Sequence, residues 1–228
     1  MAQVNKHLTH LEERILTDGQ RGGDDAIKIL KEMGDLLSGK GGVPITVTTK
    51  WDGAPAIVCG IDPADGRFFV GTKSVFAKDP KVCKTQSDVQ RLYDGALAKK
   101  LSDALRYLPT SVKSGILQGD LMFTDDKKME TIDNQRMITF RPNTITYAAN
   151  PNTELGKDIH RAKIGIVFHT KYTGDKLSDL KASFNVGPND FSTGGDVWAE
   201  RAEFQDISGI ATFSLGDRQK YDAQIRKA

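Results

Sequence analysis

VPITVTTKWDGAPAIVCGI, residues 43–61, changes rhythm twice and sets the reading of the chain around it. Val43, Ile45, Val47 and Thr49 recur with period two, the pattern of a half-buried strand. KWDG then bends the backbone, and APAIVCGI resumes as a second strand. DPADG (62–66) is a turn, because proline fixes one φ angle and Asp-Gly tolerates positive φ. GRFFVGTKSVF (66–76) returns as a strand, so residues 43–76 are expected to form an antiparallel meander.

Upstream, Val4, Leu8, Leu11 and Ile15 stand at helical spacing until TDGQRGG stops them. A second helix is expected over 24–37, with Ile27, Leu30, Met33 and Leu37 on one face. SGKGGVP closes it as a C-cap and turn. Its glycines lack the Lys-Ser/Thr ending of a phosphate loop and precede a strand, not a helix.

Downstream, Ser87–Leu108 reads as one amphipathic helix, with Val89, Leu92, Leu97, Leu101, Leu105 and Leu108 inward. Strands follow at GILQGDLMF, MITF, TITYAA and IGIVFHTKY. Short helices are expected over 154–162 and 197–204. Hairpins interspersed with helices predict an α+β fold of antiparallel sheets flanked by helices. The expected organisation is accessory helices over 1–40 and one domain over 41–228, packed as a single compact unit.

The chain has 228 residues, 38% of them hydrophobic and 27% charged, which predicts a soluble globular protein. No apolar stretch approaches the roughly 20 residues needed to span a bilayer, so no membrane partner is expected. The N-terminus carries acidic residues and histidines where a signal peptide has an apolar core. Cys59 and Cys83 fit neither a disulfide framework nor a zinc spacing, and a cytoplasmic location is expected. The net charge of +2 excludes a basic nucleic-acid-coating protein but permits a locally basic groove.

The chemistry centres on Lys50, Asp52 and Gly53. A lysine is a nucleophile only when neutral, and its ordinary pKa near 10.4 must be lowered by burial, cations or a metal. Lys50 follows a strand expected to be buried, and the hairpin would return Lys73 and Lys78 nearby. Asp52 could orient the amine or help hold a metal, and Gly53 lets the backbone approach a ligand.

Lys-x-Asp-Gly resembles the nucleotide-attachment motif of the covalent nucleotidyltransferases, the superfamily of ATP-dependent DNA and RNA ligases and capping enzymes. Three further stretches resemble its motifs in order. VGTKSVFAK (70–78) resembles the strand whose Lys-Ser element contacts ribose or phosphate. ILQGDLMF (116–123) resembles the apolar-Gly-Glu-apolar strand, with Asp120 where glutamate would bind ribose. IGIVFHT (164–170) resembles the strand whose aromatic residue, here Phe168, stacks on the base.

The departures are definite. Asp120 is one methylene shorter than glutamate, and Thr48 stands where many DNA ligases carry an acid. Neither a Glu-Gly strand nor a Lys-x-Lys strand follows Phe168. THLEERILTDG, TTKWDGAPAIVCGIDP, FFVGTKSVFAK, LQGDLMFTDDK, RPNTITYA and KIGIVFHTKYTG are similar to a largely uncharacterised family encoded by tailed phages, which implies the host cytoplasm.

The resemblance implies a ligase-type domain in which Lys50 and Asp52 are catalytic. Gly53, Lys73, Lys78, Asp120 and Phe168 would bind the nucleotide. It implies ATP, ahead of GTP or NAD, with Mg²⁺ or Mn²⁺, and DNA or RNA ends as partners. It identifies no metal ligand. The alternative is a non-catalytic phage virion protein, or a nucleotide- or nucleic-acid-binding protein, that keeps the fold. Lys78, Lys81 and Lys84 form a basic cluster that is either a solvated loop or a phosphate contact. His160 and His169 read as surface or hydrogen-bonded residues, and Ser74 and Ser114 lack a histidine-carboxylate partner.

Overall fold

The computed structural model describes residues 11–38, 49–202 and 213–227. The chain divides into two compact units, residues 1–49 with 203–228, and residues 50–202. This division differs from the expected single unit with a boundary at residue 40. The C-terminal segment groups with the N-terminal helix and not with the sheets.

In the first unit, α1 (Glu13–Leu37) runs through TDGQRGG and leaves helical geometry at Gly19, where φ is 58°. The expected stop is thus a kink between two helical halves. A Cβ at Gly22 would lie 1.9 Å from the Arg14 carbonyl oxygen, so only glycine fits beside the kink. Of the strand expected over 43–49, all but Thr49 lies outside the described residues.

The second unit begins with the expected hairpin of β1 (Ala56–Ile61) and β2 (Phe68–Gly71). Asp62 and Gly66 close its turn: the Asp62 carboxylate accepts the Ala64 N–H at 2.9 Å, and Gly66 has φ 71°. The strand expected to continue to Phe76 ends at Gly71. There the Thr72 hydroxyl accepts the Ser74 N–H and starts a 3-10 turn over Lys73–Phe76.

The helix expected over 87–108 is two helices, α2 (Gln86–Leu92) and α3 (Gly95–Tyr107). A Thr85–Asp88 capping box starts α2, while Gly95 at φ 55° turns the chain between them. Apolar spacing is helical on both sides, so periodicity passes over the break.

β3 (Ile116–Phe123) lies beside β1. A separate three-stranded sheet follows, made of β4 (Lys128–Ile132), β5 (Gln135–Phe140) and β6 (Tyr147–Ala149). Asp133 and Asn134, both at positive φ, make the β4–β5 turn. α4 (Glu154–Arg161) leads into β7 (Ile164–Thr173), and β8 (Lys181–Ser183) and β9 (Val197–Arg201) complete the central sheet. Its order is β2-β1-β3-β7, with β8 and β9 both pairing with β7.

The helix expected over 197–204 is therefore a strand where residues are described, and it runs parallel to β7. Val197 and Ala199 enter one core cluster and Trp198 another, so both faces of β9 are buried and no alternation shows in its sequence. The fold is α+β, with flanking helices and sheets that are antiparallel except for the parallel pairing of β9 with β7.

The central sheet has two unlike faces. Ile57, Cys59, Leu117, Leu121, Ile164, Ile166 and Phe168 pack with Leu101, Ala104 and Leu108 of the helical layer. On the other face, Met122, Val167 and Trp198 pack with Ile138, Phe140 and Ile159, while Val58, Phe69, Ile116 and Tyr172 pack with Val75 and Leu180. Both cysteines are buried free thiols, and burial raises both from their ordinary pKa, Cys83 to about 11.

Back in the first unit, α5 (Leu215–Ile225) packs on α1. Tyr221 fills the space a side chain at Gly34 would need, and its hydroxyl donates to the Leu30 carbonyl at 2.9 Å. Arg218 pairs with Asp35 and Asp222, each at 2.9 Å. Among the described residues, no helix is long and apolar enough to cross a membrane.

Candidate functional site

KWDG is fastened residue by residue, except at its lysine. The Trp51 ring stacks on Tyr147 with centroids 5.3 Å apart and meets Trp198 edge-on at 6.4 Å. The Asp52 N–H donates to the Tyr147 hydroxyl at 2.8 Å. Its carboxylate accepts four hydrogen bonds: from Asn143 Nδ2 (2.8 Å), Thr144 N (2.7 Å), Thr144 Oγ1 (2.6 Å) and Ile145 N (2.8 Å).

The Thr144 hydroxyl, then the Ile145 amide and Asn143, hold this carboxyl well below the usual carboxylate range. Asp52 is thus held by the 143–145 loop. Its Oδ2 accepts three of these bonds and Oδ1 only one, so most of the carboxylate's capacity holds the loop, where the sequence predicts a catalytic role beside Lys50. Its function here is to latch the KWDG bend in place.

Gly53 lies against β3. A Cβ there would fall 2.4 Å from the Asp120 Cβ and 3.0 Å from the Leu121 carbonyl oxygen. The Ala54 N–H donates to Leu121 O at 2.9 Å, the Leu121 N–H returns to Pro55 O at 3.1 Å, and Lys100 Nζ donates to Ala54 O at 3.1 Å. The glycine is required by close approach to protein. Lys50 alone projects outward: it is exposed, not set in a buried strand end, and makes no hydrogen bond or ion pair among the described residues.

Asp120 stands in a row that crosses the sheet as Ala56, Asp120, Val167 and Glu200. Alternation along β3 sends Leu117 and Leu121 to the helical face, and Ile116, Gln118, Asp120 and Met122 to the other. The polar side chains between the two apolar clusters of that face are Gln118, Asp120, His169 and Thr170. Gly71 opposes Val58, so the turn carrying Lys73 leaves β2 at the same end of the sheet as KWDG. Lys73 and Lys78 are both exposed.

Two expected members are elsewhere. Phe168 is fully buried on the helical face, its ring 5.0 Å from that of Phe191. With no exposed surface, and with the sheet between it and Asp120, it cannot stack on a base. Lys84 leaves the basic cluster because it pairs with Asp62 at 2.6 Å and Asp65 at 2.8 Å. Lys78 remains open, and Lys81 lies over the Tyr93 ring at 5.6 Å.

Sequence reasoning passed over Trp198 and the latch residues Asn143, Thr144 and Ile145; His169, read as a surface or hydrogen-bonded residue, is bonded to the Thr170 hydroxyl at 2.8 Å. RPNTITYA carried the one available signal, a polar turn between two strands.

Among the described residues, no group of three or more His, Cys, Asp or Glu side chains could hold a metal ion. Magnesium is commonly held by one or two carboxylates together with substrate phosphates. Asp120 accepts no hydrogen bond among the described residues and lies 3.8 Å from His169 Nε2. A depression of about 580 Å³, lined by Met129, Gln135, Arg136, Asn150, Pro151 and Asn152, contains none of these residues and belongs to the smaller sheet.

A family model spans almost the whole of this architecture. The chain belongs to a family of unknown function, DUF6267. The match covers residues 5–228. No curated protein and no solved structure matches the chain.

Proposed function

We propose that this member of DUF6267 is an ATP-dependent nucleotidyltransferase of the polynucleotide-ligase type, with Lys50 as its nucleophile. The supporting observation is the seating of Gly53 on Asp120, 2.4 Å from where its Cβ would be, beside an exposed lysine with no partner among the described residues. Two stretches far apart in the chain thereby meet at one end of one sheet face. Every neighbour of Lys50 within the motif is fixed while Lys50 is presented.

The neutral Lys50 amine attacks the α-phosphorus of ATP. A P–N bond forms, the bond from the α-phosphorus to the bridging oxygen breaks, and pyrophosphate leaves. The amine proton passes to water, which reaches this exposed side chain. Asp120 lies beside KWDG to hold the nucleotide, Lys73 supplies positive charge where β2 ends, and Lys78 adds a further exposed positive charge. Asp120 would help hold a magnesium ion arriving with the nucleotide, which would supply charge neutralisation. DNA or RNA ends are the acceptors this chemistry serves.

The engagement of Asp52 by the 143–145 loop and the burial of Phe168 favour a second reading, a non-catalytic nucleotide- or nucleic-acid-binding phage protein. Incubation with α-labelled ATP, GTP or NAD and magnesium, followed by a denaturing gel, separates the two. Label on the wild type and none on Lys50→Ala supports transfer. Absence of label with all three nucleotides supports the second reading.

A further inference from the structure

The β4–β5 hairpin leaves the core at its turn end. Every residue of β4 is exposed, as are Gln135 and Arg136 at the start of β5. A half-buried antiparallel sheet normally packs one face, so this end of the hairpin contributes little to stability. Met129 pairs with Ile138 and Thr131 with Arg136, which puts these four side chains on one face. Ile138 packs there against Ile159 of α4, while Arg136, two residues nearer the turn, is exposed.

Two depressions open between hairpin and helix, of about 580 Å³ and 370 Å³, and they share Met129, Arg136 and Pro151. Together they form one groove, walled by the hairpin on one side and by α4 with the turn before it on the other. The second wall is firmly built. Asn150 Oδ1 accepts the Asn152 N–H at 2.9 Å, and the Thr153 N–H and hydroxyl return to the Asn150 carbonyl at 3.1 and 2.8 Å. A Cβ at Gly156 would lie 1.9 Å from that carbonyl oxygen, so the helix sits directly on the turn.

The lining has one sign of charge. Arg136, Lys157 and His160 bring basic groups, Gln135, Asn150 and Asn152 bring amides, and no carboxylate lines either depression. Arg136 makes no hydrogen bond or ion pair among the described residues. Lys157 pairs with Glu154 at 2.7 Å, but both side chains are exposed and such a pair is readily exchanged for another anion. Glu130 points to the opposite face, where the Thr139 hydroxyl donates to it at 2.7 Å. Pockets for small molecules are lined mainly by apolar and aromatic groups, and here only Met129 and Pro151 are apolar.

Guanidinium and ammonium groups position phosphates, and amides offer both a donor and an acceptor to a base edge. Base edges and faces are open together only in an unpaired strand. We propose that this groove binds a single-stranded nucleic acid, with Arg136 and Lys157 on its phosphates. The groove lies close to the KWDG bend. Tyr147, which holds the Asp52 N–H, begins β6, and Asn150 follows its last residue, about 10 Å on at roughly 3.3 Å per residue. That the bound strand is the acceptor served by Lys50 rests on the function proposed above; the binding itself does not.

The test is fluorescence anisotropy of a labelled single strand of about 15 nucleotides and mixed sequence, titrated with the full chain. Arg136→Ala/Lys157→Ala should bind it about tenfold more weakly. The slope of log affinity against log salt should fall by about 1.4, two phosphates at roughly 0.7 each. Lys128→Ala, on the opposite face with Thr139, should leave affinity within about twofold. All three side chains are exposed, so urea midpoints should stay at the wild-type value. Unlabelled duplex of the same sequence and polyglutamate should compete poorly.

A wild type that does not bind the strand, or a double variant with full affinity, overturns the proposal. So does an equal loss in Lys128→Ala, or competition by duplex or polyglutamate as effective as by single strand. Groove-dependent binding without a Lys50 adduct overturns the covalent reading and leaves this one standing. An adduct in a protein whose double variant keeps full affinity does the reverse.

Discussion

The two faces of the central sheet are built from the same strands and have opposite characters. On the helical face, Phe168 sits among Leu101, Leu117, Leu121 and Ile166, closed to solvent. On the other, Asp120, His169 and Gln118 form a polar strip between two apolar clusters, with KWDG laid across its end. Neighbouring residues of one strand thus serve packing and chemistry in turn. A strand motif names a position along the chain, and the pleat then decides which face it serves.

The sharpest way to break this comparison is Phe168→Ala. A buried phenylalanine truncated in a packed core costs about 3–5 kcal/mol, read as a lower urea midpoint. The ATP affinity of the protein that remains folded should be unchanged. A weaker affinity with intact stability would put Phe168 in the site.

Gly53→Ala probes the other face. The added methyl meets Asp120 and the Leu121 carbonyl, an overpacking worth about 1–3 kcal/mol, and should weaken nucleotide binding as KWDG lifts from β3. If urea denaturation and calorimetry both return wild-type values, the loop does not lie on β3 as described.

Much of this organisation was legible in sequence. The hairpin over 56–71, α1's breaker and the strands around Asp120 and Phe168 all follow from period and turn chemistry. What escaped has physical causes. β9 is buried on both faces and shows no alternation; Gly95 breaks a helix whose apolar spacing continues; the bulge at His169 inverts the faces of β7, and the glycine at the register shift, Gly119, lies on the partner strand. The Asp52 latch depends on a contact 91 to 93 residues away, which local pattern cannot reveal.

That latch sharpens the comparison by its pH dependence. The folded Asp52 carboxyl sits below its ordinary value near 3.9, so the unfolded chain binds more protons around that pH. Its stabilisation is therefore full above about pH 4 and declines as pH falls further; solvent screening keeps it modest. Melting temperatures of the wild type and Asp52→Ala should differ at pH 7 and converge in acid. A gap that stays constant below pH 4 would show that the carboxylate is not what holds the bend.

Lys78→Ala has the smallest expected effect. An exposed lysine with no partner among the described residues should change stability by less than about 0.5 kcal/mol. Its loss should reduce the salt dependence of nucleic-acid binding by about one phosphate contact, measured by fluorescence anisotropy against salt concentration. An unchanged slope would take Lys78 out of the partner surface.

The most direct test of the account is intact-protein and peptide mass spectrometry after incubation with ATP and magnesium. The account predicts one added AMP on the peptide containing Lys50, released by acid as expected of a phosphoramidate, and absent from Lys50→Ala. An unmodified Lys50 after incubation with ATP, GTP and NAD, or an adduct on another residue, would contradict it.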